Sequence, residues 1–150
     1  MIFSGAPRPS RSFQRPAGYS VAPWRVPSSH SRAAPMKLNH LNLAVTDVRA
    51  ASEFLEKYLG MRRVGGNAGM AFLTDAPDRW GFVLTLMKAR QVDYPGNFHV
   101  GFFVESAENV DDINRRLRED GFEAPLPEDT GHSYGFYMKA PGGFTVEIGA

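Results

Sequence analysis

From Met36 onward the sequence runs twice through the same order of elements. A duplicated unit confines the fold to architectures in which the two copies pack as equivalents. The first copy opens on "LNHLNLAVTD", Leu38 to Asp47, where Leu41, Leu43 and Val45 alternate with His40, Asn42 and Ala44. That period of two predicts a strand over Lys37 to Thr46. Asp47 stands where a helix N-cap belongs, Val48, Ala51, Phe54, Leu55, Tyr58 and Leu59 recur at helical spacing, and Gly60 is the stop. Short strands are expected at Met61 to Val64, Met70 to Thr74 and Phe82 to Lys88, with Asn67-Ala68-Gly69 as a turn between the first two. After the linker "ARQVDYPGN" the order restarts. Phe98 to Val104 alternates as a strand, and Val110 to Asp120 reads as a helix capped by Asn109 and ended by Gly121. Strands follow at Phe122 to Ala124, Tyr134 to Lys139 and Phe144 to Gly149. The expected fold is α+β: two βαβββ modules, residues 36–89 and 97–150, forming a curved mixed sheet around a cup.

The repeat gives three polar residues a common explanation. His40 and His99 occupy the same place in the first strand of each module, 59 residues apart, and "GFVLTLM" from Gly81 aligns with "GFTVEIG" from Gly143. In that register Thr85 stands opposite Glu147. All of these project from the face away from the helices. There His40 is accompanied by Asn42 and Ala44, His99 by Gly101, and Glu147 by Thr145. A single strand histidine is ordinarily hydrogen-bonded at a sheet end or solvated, and a single strand-end glutamate ordinarily sits in water. At symmetry-related positions on a face of small residues they describe the wall of a ligand cavity instead. Two imidazoles and one carboxylate make the facial triad that leaves positions open on a metal. Nitrogen and oxygen donors suit Fe(II) or Mn(II), and also Zn(II), Ni(II) or Co(II).

Charge and composition exclude several functions. Residues 1–35 hold five arginines, six prolines, seven serines and no acid; the remaining 115 residues keep 12 of the 17 basic residues and all 16 acidic ones. An acidic folded part is a poor electrostatic match for nucleic acid. No apolar run approaches the roughly 18 residues that span a bilayer. There is no cysteine, which removes disulfides and thiolate ligands and suits a reducing, cytoplasmic setting. The first 35 residues lack any periodic apolar face and read as a tail, with translation from Met36 as one account of them. Their Arg- and Ser-rich composition also suits an organellar transit peptide, although six prolines would interrupt its helix.

The stretches "NHLNLAVTDVRAASEFLEKYLGM", "FHVGFFVES" and "FYMKAPGGFTVEIG" resemble the vicinal oxygen chelate superfamily, which includes glyoxalase I, fosfomycin-resistance proteins, bleomycin-binding proteins and extradiol dioxygenases. The resemblance spans Met36 to Ala150. It implies ligands on the first strand of each module and on the last strand, hence His40, His99 and Glu147. The fourth ligand usual in glyoxalase I falls on Thr85, a poor donor. The final stretch is similar to the end of an extradiol dioxygenase, with Tyr137 ten residues before Glu147 in the place of a tyrosine that hydrogen-bonds a catecholate. His132 stands near the place of that family's proton-handling histidine, closer to Phe136 than the family pattern has it.

Three readings follow. The resemblance best suits a metal-dependent enzyme of extradiol type that cleaves a catechol-like ring, with Tyr137 and His132 handling protons. Another metal-dependent activity is the alternative, a glyoxalase-like isomerase (lactoylglutathione lyase type) or a transferase. A metal-free module of bleomycin-resistance type, with Phe72, Trp80, Phe103 and Tyr134 as walls, is the third. In each the partner is a small molecule, with vicinal oxygens where a metal holds it. The sheet edges and the family's habit of pairing modules predict a homodimer.

Overall fold

The computed structural model describes residues 37–76 and 81–150, so the expected tail and Trp80 lie outside the described residues. The first module is β1 (His40–Val45), α1 (Val48–Leu59), β2 (Arg62–Asn67), β3 (Met70–Thr74) and β4 (Val83–Lys88). The second is β5 (Val100–Phe103), α2 (Ala107–Glu119), β6 (Glu128–Asp129), β7 (Tyr134–Lys139) and β8 (Thr145–Gly149). Each module forms a four-stranded mixed sheet, in the orders β1-β4-β3-β2 and β5-β8-β7-β6. The first strand runs parallel to the last, and the other pairings are antiparallel. The two βαβββ modules of the α+β fold are thus present.

Local chemistry explains the boundaries. The Asp47 carboxylate accepts the Ala50 N–H at 2.9 Å and starts α1. Gly60 ends it in the left-handed region at φ 67°, its N–H donating to the Leu55 carbonyl. The cap of α2 is Ser106 rather than Asn109: the Ser106 side chain accepts the Asn109 N–H, and the helix begins three residues earlier than expected. Its first turn, Ala107 to Asn109, faces solvent, so apolar spacing could not register it. β2 extends to Asn67, past the expected end at Val64, through a bulge between Arg63 and Gly65. Gly66 allows that extension: its φ is 119°, and a Cβ there would lie 2.2 Å from the Met70 carbonyl oxygen.

The expected strand at Phe122 to Ala124 is absent. Phe122 packs its ring against Phe54 and Tyr58 of α1, at centroid distances of 5.5 and 5.6 Å. Pro125 and Pro127 then deny the segment a regular ladder, and pairing with β7 resumes only at Glu128 and Asp129.

One continuous core fills the helix side of both sheets. Leu43, Val45, Leu84 and Leu86 of the first module and Val110, Leu117, Val146 and Ile148 of the second are all at most 1% exposed. The modules are joined through this side. The Lys57 ammonium meets the Asp120 carboxylate at 2.8 Å, the Tyr58 hydroxyl donates to the same oxygen, and the Arg116 guanidinium donates to the Lys57 carbonyl at 2.9 Å. At the far end of β1, the Thr46 N–H donates to the Gly142 carbonyl at 3.0 Å. No described helix is long and apolar enough to cross a membrane.

Candidate metal centre

The helix-free face of each sheet carries one cross-strand row. In the first module Asn42, Thr85 and Phe72 are paired across β1, β4 and β3; in the second Gly101, Glu147 and Tyr137 are paired across β5, β8 and β7. The duplication therefore places Glu147 between a glycine and a tyrosine, and its counterpart Thr85 between an asparagine and a phenylalanine. Gly101 leaves space: a Cβ there would lie 3.3 Å from Glu147 Oε2.

Into this space His99 enters from the residue just ahead of β5. Its Nε2 lies 3.3 Å from Glu147 Oε2, and the other carboxylate oxygen accepts the Tyr137 hydroxyl at 2.6 Å. The rings of His99 and Tyr137 meet edge to face, 5.2 Å between centroids. The carboxylate accounts first, and burial second, for a Tyr137 phenol held above its ordinary pKa of 10.0. Tyr137 is thus a neutral hydroxyl donor.

The His99 tautomer is fixed by the preceding turn, in which Phe98 N–H donates to the Pro95 carbonyl. His99 Nδ1 lies 3.1 Å from the Asn97 carbonyl oxygen, which can only accept, so Nδ1 carries the proton. That leaves Nε2 facing a Glu147 carboxylate oxygen 3.3 Å away, where a proton or a cation would join the two. An imidazole nitrogen and a carboxylate are donors that fit a divalent cation. An imidazole whose far nitrogen is anchored on a backbone carbonyl is the usual state of a metal-ligating histidine.

His40 is not brought to this pair. It is exposed at the start of β1, and its Nδ1 lies 2.8 Å from the Asn39 side-chain oxygen. Among the described residues no three His, Cys, Asp or Glu side chains gather into one potential metal site. His132 is exposed in the loop between β6 and β7, and no described hydrogen bond or ion pair involves it. Tyr134, expected as a cavity wall, instead donates its hydroxyl to Asp111 of α2 at 2.8 Å and belongs to the helix side. Phe72 and Phe103 do lie on the helix-free faces, exposed by 38% and 63%. The Asn97 carbonyl escaped the sequence reading, because a backbone acceptor in a turn has no residue-type signature.

A cleft of about 720 Å³ is lined by His99, Gly101 and Phe103 together with Leu41, Tyr58 and Ile113, and not by Glu147 or Tyr137. A second cleft of about 490 Å³, among Asp47, Arg49, Arg63 and Lys88, shares no residue with it.

Residues 37–148 match the family model described as the Glyoxalase/Bleomycin resistance protein/Dioxygenase superfamily. An uncharacterized protein of Pseudomonas aeruginosa is 30% identical over 123 residues, which cover 74% of this chain and 86% of that one. The structure of a possible glyoxalase from Bacillus cereus is 50% identical and superposes with a TM-score of 0.70, covering 77% of this chain and 100% of that one. A fosfomycin resistance protein from Listeria monocytogenes shares the fold at 20% identity, with a TM-score of 0.65 over 78% of this chain and 94% of that one.

Proposed function

The chain belongs to the Glyoxalase/Bleomycin resistance protein/Dioxygenase superfamily, and from that premise we propose a metal-dependent enzyme acting on a small molecule with two adjacent oxygens. Extradiol cleavage of a catechol-type ring is the reaction its residues suit best. The observation that carries this reading is the row Gly101–Glu147–Tyr137 with His99 against it: a carboxylate, an imidazole nitrogen and a phenol converge at one point.

His99 and Glu147 are two of the three protein ligands. We assign the third, His40, to a second copy of the chain, since His40 stands exposed at the start of edge strand β1 and apart from the pair. The site is then completed in a homodimer. A bound divalent cation, Fe(II) or Mn(II) by preference, would supply Lewis acidity toward paired substrate oxygens and, as iron, reactivity toward dioxygen. The Asn97 carbonyl keeps the His99 lone pair aimed at the site. Tyr137 holds its proton on the phenol oxygen, beside Glu147, ready to donate to a substrate oxygen. His132, out on its loop, serves as a second proton carrier only for a substrate that reaches residues 131–133.

The test is oxygen consumption by Fe(II)-loaded protein offered a panel of catechols, with ring-opened product followed by absorbance. Stoichiometric oxygen uptake and product are expected. The name of the 50% identical Bacillus cereus structure favours a second reading, a glyoxalase-type isomerase. No oxygen uptake, with isomerisation of a hemithioacetal by Ni(II)- or Zn(II)-loaded protein, would replace the first reading by the second.

A further inference from the structure

An exposed phenylalanine on a rigid strand needs an explanation, because leaving its ring in water forgoes about 2 kcal/mol of burial. Phe103, the last residue of β5, is 63% exposed. It shares the helix-free face with Gly101 and His99, two and four positions back along the chain. Its cross-strand partner on β8 is Gly149. A Cβ on Gly149 would lie 3.2 Å from Cε1 of the Phe103 ring, and a Cβ on Gly101 would lie 3.5 Å from Cε2. The ring therefore lies back along the sheet, over two positions that have no side chain. The same Gly101 position is 3.3 Å from Glu147 Oε2, so the ring edge and the carboxylate border one spot. Phe103, Gly101 and His99 also line one cleft.

We propose that Phe103 is a specificity-determining residue: its open face is a platform on which the flat, apolar body of a substrate stacks while two oxygens of that substrate reach toward His99 and Glu147. The proposal rests on the metal-dependent reading above and adds the selection of a planar ring over an aliphatic chelator. Gly101 and Gly149 set the height of the platform. A methyl at Gly149 would lie closer to the ring than ordinary van der Waals contact and would lift it toward the substrate. An offset-stacked ring pair accounts for roughly a tenfold preference in binding.

The experiment compares two metal chelators with adjacent oxygens, 4-nitrocatechol and acetohydroxamate, on the full chain loaded anaerobically with Mn(II). In Phe103→Ala and Phe103→Leu, 4-nitrocatechol is expected to bind about tenfold more weakly, and acetohydroxamate within about twofold of wild type. Phe103→Tyr restores the aromatic preference. Metal content and dimer mass stay at wild-type values in all three. Equal weakening of both chelators, no weakening of either, or loss of the dimer in Phe103→Ala overturns the platform and leaves the metal site standing. Failure of wild type to bind either chelator, with metal bound or absent, overturns the metal-dependent reading and the platform together.

Discussion

At Gly101 a single hydrogen stands where every other residue has a carbon, and the site depends on that difference. A Cβ would come within 3.3 Å of Glu147 Oε2, closer than most carbon–oxygen contacts, and the carboxylate is the part free to move. Gly101→Ala is therefore expected to displace Glu147 from His99, lowering metal affinity at least tenfold while the melting temperature shifts by only about 1–2 °C. Equilibrium dialysis and calorimetry on the same samples check both halves. Glu147 and His99 were legible from the sequence because strict alternation put polar residues on a face otherwise made of small ones. The Asn97 carbonyl that orients His99 was not, since any residue supplies a carbonyl. Alternation along Tyr134 to Lys139 also separates Tyr134, which shares a face with buried Phe136 and Met138, from Tyr137, three residues on. Placing Tyr134 among the cavity walls overlooked that parity, and its hydroxyl bonds Asp111 of α2 instead.

The helices show where periodicity informs and where it stops. The α1 boundaries were readable from Asp47 and Gly60, whose chemistry at a helix end is specific. The start of α2 was missed because its first turn buries no apolar side chain, and only the Ser106 oxygen marks it. Ser106→Ala is expected to cost about 1 kcal/mol in chemical denaturation, and Asn109→Ala a few tenths. Between the helices, Asp120 accepts from Lys57 and Tyr58, which hold its carboxyl below the ordinary value of 3.8. A carboxyl with a depressed value in the folded state stabilises the fold at pH values above its unfolded value. As pH falls through the folded value that contribution is lost, because the unfolded chain binds the proton more readily. Asp120→Asn should therefore melt below wild type at pH 7, and the gap should close as the pH drops below 3.8. A gap that persists unchanged at pH 2.5 would assign the difference to packing.

In the whole molecule, the core and the ion pairs that join the modules lie on the helix side, while the proposed site, His99, Glu147 and Tyr137, lies on the opposite face. Sequence symmetry predicted two equivalent half-sheets, and the paired rows confirm the correspondence. Symmetry alone was silent on whether the two histidines meet within one chain. If His40 serves the site of a second copy, a mixture of His40→Ala and His99→Ala chains forms mixed dimers in which one of the two sites is intact. Refolding the two inactive variants together should then recover about a quarter of wild-type turnover. No recovery, with mixed dimers shown by native mass spectrometry, would place all three ligands in one chain. The unlike rows of the two modules have a further consequence for stoichiometry. Duplication offered every chain two candidate sockets, but Asn42, Thr85 and Phe72 bring no anionic donor to theirs. A metal titration should accordingly break at one equivalent per chain, two per dimer, however symmetric the scaffold around them.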